Sequence, residues 1–353
     1  MNKVVYLDTR RRRTPLPSAA STGSEAAPAA QAVQISIVMV SFHTGPELDE
    51  AIDAVLAQNI DLEMILVDNG NPEEVTEALK VRALTDPRLS LLTGHGNIGY
   101  AAACNLGARN ACGEYLLLLN PDCVLQRDAL RDLIQATEGA VRPWVAGCRI
   151  VNPDGTDQRG SRRELPTPWL TLVEALRLDR LAPNHPYFRR LNQHDQPLPE
   201  QTCVVPAVSG ACMLMPLDDY RLIGGMDERY YLHVEDLDLC FSIAKAGGGV
   251  LFVPQVSIVH YKSTSDASAV RIEWYKARGF TQYFRKNFTG LYPDLFLTAV
   301  NVLVWCYFVI RLASLIKTST VGTMAALFRR TGAFQSIGTD RSGGKDGRKG
   351  RAA

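Results

Sequence analysis

The amino-acid sequence predicts an α/β fold in which a doubly wound, mixed sheet carries helices on both faces. Three observations lead to this prediction. Short apolar runs suited to buried strands alternate with stretches of helical periodicity. Polar residues follow several of these strands at their carboxyl ends, where ligands of such sheets bind. The 353 residues are 46% hydrophobic and 21% charged, which is enough apolar content to fill a large core.

The first half of the chain shows the element order β-α-β-α-β-α-β, which is typical of a doubly wound sheet. Four strands are predicted at 35–41, 63–68, 89–92 and 114–122. Three helices are predicted between them, around Leu48 to Leu56, at 73–83 and at 99–112. Because parallel strands end at one edge of a sheet, four polar features are expected to converge there: Ser41, Asp68, the 94–99 loop and Asp122.

The 94–99 loop contains Gly94-x-Gly96-x-x-Gly99, which matches the dinucleotide-binding pattern. A dehydrogenase of the nicotinamide type is therefore one alternative. Its glycine loop belongs after the first strand of the unit, whereas this one follows the third. Asn97 is expected to cap the following helix by accepting backbone N–H bonds. The glycine-rich turn alone does not decide the chemistry.

Several further motifs occur in a fixed order, and together they resemble the family 2 glycosyltransferases of the GT-A fold, most closely the rhamnosyltransferase-like branch. The resemblance covers about residues 34 to 290. Its motifs are Ile37-Val-Met-Val-Ser41, Val67-Asp-Asn69, Gly96-Asn-x-Gly99 with Asn105, Asn120-Pro-Asp122, Val208-Ser-Gly-Ala-Cys-Met-Leu-Met215, Gly224-Gly-Met-Asp-Glu228 and Tyr231-Leu-His-Val-Glu-Asp-Leu-Asp-Leu-Cys240.

The resemblance implies that the glycine-rich turn lines a nucleotide-sugar pocket. The donor-binding residues that it implies are Ser41, Asp68, Asn69, Asn97, Gly99, Asn105, Asn120 and Asp122. It also implies a divalent metal, Mg²⁺ or Mn²⁺, held by Asp122 with His260. The family usually shows Asp-x-Asp at this point, and Asn120 here removes one negative charge.

The acidic run Glu235-Asp236-Leu237-Asp238 opens a predicted helix, and three acids within four residues exceed what helix capping needs. Neighbouring carboxylates raise one another's pKa and improve one of them as a base. By resemblance, Asp236 is the general base of a single, inverting displacement. Glu235 is the second catalytic candidate, and Asp238 positions either the acceptor or the helix.

A sugar-phosphate nucleotidyltransferase and a non-catalytic sugar-binding protein are two alternatives to a glycosyltransferase. A sugar-phosphate nucleotidyltransferase has a similar sheet, but it needs a glycine-rich loop with Arg and Lys after the first strand, which this sequence lacks. A non-catalytic sugar-binding relative remains an alternative, and the acids at 122, 235 and 236 disfavour it. The formal net charge of +1 gives no basis for a nucleic-acid partner.

Outside the predicted catalytic region, the chain shows composition shifts that predict further segments. The eight cysteines form no C-x-x-C pair and are expected to be buried, reduced thiols of a cytosolic protein. Residues 160–200 are polar and Pro- and Arg-rich, which we interpret as an insertion over the acceptor side. The predicted division is a disordered tail at 1–33, a glycosyltransferase domain at 34–290 with a nucleotide-binding half at 34–125 and a catalytic half at 126–290, a membrane-associated helical segment at 291–335 and a disordered basic tail at 336–353.

The apolar segment near the C-terminus indicates a membrane contact. Its uncharged part, 295–310, is 16 residues long, or about 24 Å as a helix, whereas a span usually needs about 20 residues. Arg311 follows it, and Trp305 and Tyr307 suit headgroup depth. The sequence therefore predicts a helix in or along the cytoplasmic face of the bacterial inner membrane, near a polyprenol-linked or other glycan acceptor. A helix packed on the catalytic domain is the alternative.

Overall fold

A computed structural model describes residues 5–7, 34–180, 188, 191, 193, 196–262 and 268–335 of the chain. The strands in this described part are β1 (Val5–Leu7), β2 (Ile35–Ser41), β3 (Leu62–Asp68), β4 (Leu89–Thr93), β5 (Tyr115–Leu119), β6 (Cys123–Leu125), β7 (Trp144–Val151), β8 (Arg162–Arg163), β9 (Cys203–Val204), β10 (Ala207–Val208), β11 (Cys212–Pro216) and β12 (Gly249–His260). The helices are α1 (Glu47–Leu56), α2 (Glu73–Thr85), α3 (Tyr100–Arg109), α4 (Ala129–Gln135), α5 (Pro168–Ala175), α6 (Leu217–Leu222), α7 (Glu235–Lys245), α8 (Ala269–Phe288) and α9 (Asp294–Gln335).

One mixed sheet of ten strands runs through the molecule in the order β1-β4-β3-β2-β5-β11-β7-β12-β6, with β9 added beside β12. Strands β4, β3, β2 and β5 are mutually parallel, and β11 pairs antiparallel with β5. The predicted alternation of strands and helices is therefore confirmed. The sheet also continues without interruption across the boundary at 125/126, so the two predicted halves share one sheet.

Two apolar cores cover the two faces of this sheet, and strand β2 shows why its sequence is continuously apolar. All seven of its residues are buried. Ile37 and Met39 pack into the core that includes α1, α2 and α4, whereas Val38 and Val40 pack into the core that includes α3 and α7. Because side chains alternate along a strand, a strand covered on both faces has no solvent-facing position.

Helix α3 lies unusually close to the sheet because its sequence is rich in small residues. A Cβ atom at Gly107 would meet the Val38 side chain at 2.4 Å, so only glycine fits there. The helix begins at Tyr100, with Gly99 at the N-cap position. The expectation that Asn97 caps it is corrected, because the Asn97 side chain accepts from the Gly99 N–H at 3.1 Å, outside the helix, and so fixes the preceding turn.

The structure departs from the sequence prediction near both ends of the chain. Val5–Leu7 forms an edge strand antiparallel to β4 within the segment expected to be a disordered tail. The rest of that tail and the segment 336–353 lie outside the described residues. The insertion at 160–200 contains strand β8, helix α5 and a 3₁₀ turn at Leu178–Arg180, which its weak periodicity did not indicate.

The apolar C-terminal segment forms part of helix α9, which continues without a break past Arg311 to Gln335. Among the described residues, one helical stretch is long and apolar enough to cross a membrane, Asp294–Ile316, with 23 residues, mean hydropathy 2.0 and 17% of it buried. Its length is about 34 Å at 1.5 Å per residue. The uncharged part, 295–310, is 16 residues long as the sequence shows, but the apolar helical stretch continues through Arg311 to Ile316.

Candidate active site

The acidic helix α7 starts from a strained backbone. His233 and Val234, the two residues before it, have positive φ angles of 67° and 75°. Such angles are rare for a β-branched residue and cost free energy. Val234 is buried and a Cβ at Gly279 of α8 would lie 3.0 Å from its Cγ2, so packing between the two helices holds the turn. The turn fixes the direction in which Glu235 and Asp236 project.

The carboxylate of Asp236 has three protein partners and remains partly exposed. Its Oδ2 accepts hydrogen bonds from Arg163 and from the Gly210 N–H, the latter at 3.0 Å, and its Oδ1 accepts from the Leu237 N–H at 2.8 Å. The side chain is 13% exposed. A Cβ at Gly210 would meet the Asp236 Cβ at 2.9 Å, so this close approach requires glycine.

Glu235 is the acid whose protonation the environment changes most clearly. Burial, and then the neighbouring charge of Asp236, raises the pKa of Glu235 from 4.5 to about 8. Its Oε2 atom is buried and has no hydrogen-bond partner among the described residues. A protonated Glu235 would carry a hydrogen-bond donor next to Asp236 at neutral pH. Asp236 thus raises the pKa of its neighbour Glu235, as expected of adjacent acids, in addition to the larger effect of burial.

Asp238 faces helix α8 and Tyr230. Its carboxylate accepts from Lys286 at 2.6 Å, from Asn287 at 3.0 Å and from the Tyr230 hydroxyl at 3.1 Å. Two of these partners are in α8, so Asp238 ties α7 to α8. Of the two positioning roles predicted for Asp238, the contacts support positioning of the helix.

Tyr100 connects the acidic helix to the loop after β5. Its hydroxyl donates to Asn120 Oδ1 at 3.2 Å and approaches the Gly210 carbonyl at 3.5 Å. The Asn120 N–H donates to the Ala211 carbonyl at 2.9 Å. The segment 209–211 therefore touches Asp236 on one side and the Asn120–Asp122 loop on the other. Burial raises the pKa of Tyr100, which keeps its hydroxyl protonated.

Asp122 and His260 meet at the edge of the sheet, because β6 pairs antiparallel with the end of β12. The distance between Asp122 Oδ1 and His260 Nε2 is 3.1 Å, and both side chains are largely buried. His260 Nδ1 lies 2.7 Å from Gln158 Oε1. The Gln158 amide nitrogen donates to Asn152 and to the His260 carbonyl, which identifies Oε1 as the acceptor and Nδ1 as the protonated nitrogen.

This arrangement fits a divalent cation. With Nδ1 directed at Gln158, Nε2 of His260 faces Asp122 Oδ1, and the two atoms could act as ligands of one cation. Two ligand atoms about 3 Å apart are spaced as neighbouring ligands of a six-coordinate ion with bonds of about 2.1 Å. Cys123 also lies in this cluster, but burial raises the pKa of its thiol, which disfavours the thiolate that a metal requires.

Asp68 and Ser41 lie side by side at the carboxyl ends of β3 and β2, as the strand order predicted. The Asp68 carboxylate accepts from Thr76 at 2.6 Å, from Thr93 at 3.0 Å and from the backbone and side chain of Asn71. These hydrogen bonds outweigh burial and lower the pKa of Asp68. Both residues are almost fully buried, so the groups nearest to a ligand here are those of the loop that they support.

Asn97 and Gly99 lie in the glycine-rich turn, and Asn69, directly after β3, holds it. Asn69 Nδ2 donates to Asn97 Oδ1 at 3.1 Å, and Asn69 Oδ1 accepts from the Ile98 N–H at 3.0 Å. A Cβ at Gly99 would come within 2.8 Å of Tyr231, which packs over the turn. The turn is thus locked to β3 on one side and to the segment before the acidic helix on the other.

Asn105 is the one predicted donor residue that the described contacts place elsewhere. Its amide nitrogen donates to the Met226 carbonyl at 2.8 Å and to Glu228 at 3.0 Å, while its oxygen accepts from Met226 N–H and the Tyr220 hydroxyl. With both donors and both lone pairs occupied, Asn105 has no capacity left for a ligand. The prediction is corrected: Asn105 holds the Gly224–Glu228 turn.

Sequence reasoning missed Tyr100, Gln158 and Arg163. Tyr100 directly follows the glycine-rich motif and Arg163 lies in the segment left as an insertion, so neither position carried a signal of its own. The strand β8 pairs with β10, and this pairing alone brings Arg163 beside Asp236. The eight cysteines are all free, and five are buried, which agrees with the expectation of reduced thiols.

Comparison with known proteins finds glycosyltransferases of similar sequence. The family described as "Glycosyl transferase family 2" matches residues 36–207. An N-acetylglucosaminyl-diphospho-decaprenol L-rhamnosyltransferase of Mycobacterium tuberculosis is 28% identical over 243 residues, which are 65% of this chain and 77% of that protein. The rhamnosyltransferase WbbL of Escherichia coli K12 is 24% identical over 200 residues, 55% of this chain and 70% of that protein.

Solved structures support the fold. A mannosyltransferase, PcManGT, of Pyrobaculum calidifontis, in complex with GDP-Man and Mn²⁺, superposes with a TM-score of 0.50 at 16% identity. The superposition covers 91% of this chain and 85% of that enzyme. At this identity the likeness concerns the fold, and it confirms the predicted mixed α/β architecture.

Proposed function

Because the chain belongs to the family 2 glycosyltransferases and resembles their rhamnosyltransferases, we propose that it transfers a sugar from a nucleoside-diphosphate donor to a hydroxyl of a glycan or lipid-linked glycan. Rhamnose is the first candidate sugar, and bacterial cell-surface polysaccharide is the proposed product. The observation that carries the proposal is the segment 209–211, which touches both Asp236 and the Asn120–Asp122 loop. Transfer needs an acid–base group and a leaving-group site next to each other.

Asp236 is proposed as the general base. Its Oδ2 accepts hydrogen bonds from Arg163 and from the Gly210 N–H, and these contacts fix the orientation of the carboxylate. The acceptor hydroxyl would lose its proton to Asp236 as it attacks the donor sugar from the face opposite the leaving diphosphate, which inverts the configuration. Glu235, protonated near neutral pH, is proposed to donate a hydrogen bond that positions the acceptor.

Asp122 and His260 are proposed to hold Mg²⁺ or Mn²⁺ at the donor diphosphate. The mixed carboxylate and imidazole set favours Mn²⁺, because imidazole is a better ligand for transition metals than for Mg²⁺. A bound divalent ion supplies neutralisation of the departing diphosphate charge. Asn120, which replaces an expected acid, accepts from Tyr100 and keeps the loop in place without adding charge.

The nucleoside is proposed to bind at the rim formed by the ends of β2 and β3 and by the glycine-rich turn. Gly96 has open space where a Cβ would be, so its backbone is accessible to a ligand. Asp68 and Ser41 support this rim from below, and Asn69 with Asn97 fixes the turn. Gly99 permits the close contact with Tyr231 that closes the rim.

The helix α9 is proposed to keep the catalytic unit, residues 34–290, at the cytoplasmic face of the inner membrane. Leu297 and Val300 pack on the catalytic unit, whereas Leu295, Val309 and Ile310 are 84%, 59% and 65% exposed. Exposed apolar side chains on this scale are unfavourable in water and favourable in lipid. Such a position suits a soluble donor and a membrane-borne acceptor. The segment 291–335 is accordingly proposed as the membrane-associated part.

The experiment is a screen of nucleotide sugars by thermal stabilisation of the full chain, followed by transfer to a polyprenol-linked glycan. We expect one nucleoside diphosphate to stabilise the protein and its sugar to be transferred with inversion. A non-catalytic sugar-binding protein would bind a donor and neither hydrolyse nor transfer it. A chain that binds no nucleotide sugar at all contradicts the proposal.

A further inference from the structure

Two cavities meet where helix α8 lies against helix α9. One, of about 570 Å³, is basic: it is lined by Arg229, Arg278, Arg285 and Lys286. The other, of about 740 Å³, is a largely apolar groove along α9. Thr281, Arg285 and Trp305 line both cavities, so the two are neighbours. We call them the basic cavity and the apolar groove.

The basic cavity is built by one face of α8. Arg278, Thr281, Gln282 and Arg285 follow the i, i+3, i+4, i+7 spacing that aligns side chains along a helix. Helix α8 carries five basic residues against a single acid, Glu273. Glu273 pairs with Lys276 at 3.1 Å and lies 3.9 Å from Arg311, so it does not neutralise this face.

Only part of the positive charge in the basic cavity is balanced. Arg229 and Lys286 pair with Asp227, and Lys286 also pairs with Asp238. Within the described ranges, no carboxylate lies within ion-pair distance of Arg278 or Arg285. Four cations therefore face two carboxylates, and the remaining charge of about +2 matches a phosphate or diphosphate.

The apolar groove adjoins the basic cavity at Trp305, which lines both. Val302 on one side of Trp305, and Val309 and Ile310 on the other, line the groove along α9. Val302 is 56% exposed. Asp294 lines the groove as well, but it lies about 16 Å from Trp305 along the helix. A cavity that is cationic at one end and apolar along the rest fits an amphiphile with an anionic head.

We propose that the basic cavity binds the diphosphate of a prenyl-linked acceptor and that the apolar groove holds the first isoprene units of its chain. The inference rests on the proposed function, since it assigns the place of that reaction's lipid acceptor. Arg278 and Arg285 are the phosphate-binding residues, and Trp305 packs against the chain where it leaves the head. Helix α9 then has two tasks, contact with the membrane and recognition of the substrate.

The position of the basic cavity relative to Asp236 agrees with this assignment. Gly279 of α8 packs against His233 and Val234, the two residues before the acidic helix, which places this part of α8 beside the start of that helix. Arg285 lies about 9 Å further along α8. A sugar joined to a diphosphate can bridge this interval, with its acceptor hydroxyl at Asp236 and its phosphates at Arg278 and Arg285.

The test is calorimetric titration of the full chain in detergent with farnesyl diphosphate, with the donor site filled by the stabilising nucleoside diphosphate. Inorganic diphosphate and farnesol are titrated separately to distinguish the contributions of head and chain. Arg285→Gln and Trp305→Ala are the test variants. Arg127→Gln, which removes an arginine 94% exposed on another surface, is the matched control.

We expect farnesyl diphosphate to bind more tightly than either fragment, and each test variant to weaken it about tenfold or more while Arg127→Gln does not. In transfer assays, KM for the lipid acceptor should rise and donor hydrolysis should stay unchanged. Equal binding of inorganic diphosphate, equal competition by phosphatidylglycerol vesicles, or unchanged affinity in Arg285→Gln overturns the inference. Failure of the proposed function would instead appear as absent donor binding and hydrolysis in the wild-type chain.

Discussion

The guanidinium of Arg163 lies against the carboxylate of Asp236, although the two residues are 73 positions apart in the chain. Arg163 lies in β8, and Asp236 is the second residue of α7. The same oxygen of Asp236 accepts from the Gly210 N–H at 3.0 Å. The pair therefore couples the segment 160–200 to the proposed general base.

Replacement of this arginine should slow transfer without abolishing donor binding. In Arg163→Gln the Asp236 carboxylate loses a charged partner, so we expect the rate of transfer to fall about 10- to 100-fold. Arg163→Lys should restore part of the rate, because it keeps the charge and loses the fork geometry. Arg159→Gln, a nearby arginine paired with Glu174 on the surface, is the control. Equal rates in Arg163→Gln and the control would show that the pair only supports the fold.

The proposed base itself can be tested by an isosteric change. The asparagine in Asp236→Asn has the shape of aspartate and can still accept the hydrogen bond from the Gly210 N–H, but it cannot accept a proton. The rate of transfer should therefore fall by about 10²–10⁴. Donor binding, measured by thermal stabilisation, should persist. Asp218→Asn, an acid 78% exposed in α6, is the matched control. Turnover like that of the wild type would remove Asp236 from the mechanism.

Metal dependence follows from the contact between Asp122 and His260. Exhaustive chelation should abolish transfer, and Mn²⁺ should restore it. Gln158→Leu removes the partner that orients His260, so the metal concentration for half-maximal activity should rise about 10- to 100-fold. Gln255→Leu, whose amide contacts the Glu200 carbonyl on the surface, is the control. Full activity after chelation would contradict the proposed metal site.

Glu235 should make the stability of the protein depend on pH. Its pKa is raised from 4.5 to about 8, so between these values the unfolded chain loses the proton while the folded chain keeps it. Stability should therefore fall as pH rises through this window. Glu235→Gln removes the effect, so its Tm relative to wild type should increase from pH 5 to pH 8.5. The exposed Glu138→Gln serves as control, and a Tm difference that does not vary with pH would refute the assignment.

The membrane contact of α9 is tested by substitution, because truncation at Pro293 would remove Leu297 and Val300 and expose the apolar core against which they pack. Tyr307 and Ile316 are 56% and 57% exposed. A lysine costs about 2.5–3.5 kcal/mol at the centre of a membrane helix, near Tyr307, and less at its end, where Ile316 lies, because the side chain can reach the headgroups. We expect the double variant Tyr307→Lys, Ile316→Lys to leave the membrane fraction with its Tm unchanged. Lysines at Val141 and Leu222, exposed apolar residues of the catalytic unit, should leave fractionation unchanged. Full retention of the α9 variant would contradict the membrane proposal.

Local sequence determined the sheet and the rim of the site. The strands at 35–41, 62–68 and 89–93 are continuous apolar runs because helices cover both of their faces, and no tertiary information is needed to recognise them. The convergence of Ser41, Asp68 and the glycine-rich turn followed from parallel order alone. Ordered motifs also carried the resemblance to family 2 glycosyltransferases, because their order along the chain needs no tertiary information to recognise.

Tertiary structure alone decided which polar groups are available for chemistry. Asn105 and Asp238 belong to motifs, yet protein partners occupy their hydrogen-bonding groups. Arg163 carries no local signal and reaches Asp236 only through the pairing of β8 with β10. Hydrogen bonds and ion pairs between distant segments depend on how elements pack, and packing is a property of the whole chain. Sequence periodicity reports whether a residue is buried, whereas the partner of a buried polar group is fixed only when the fold closes.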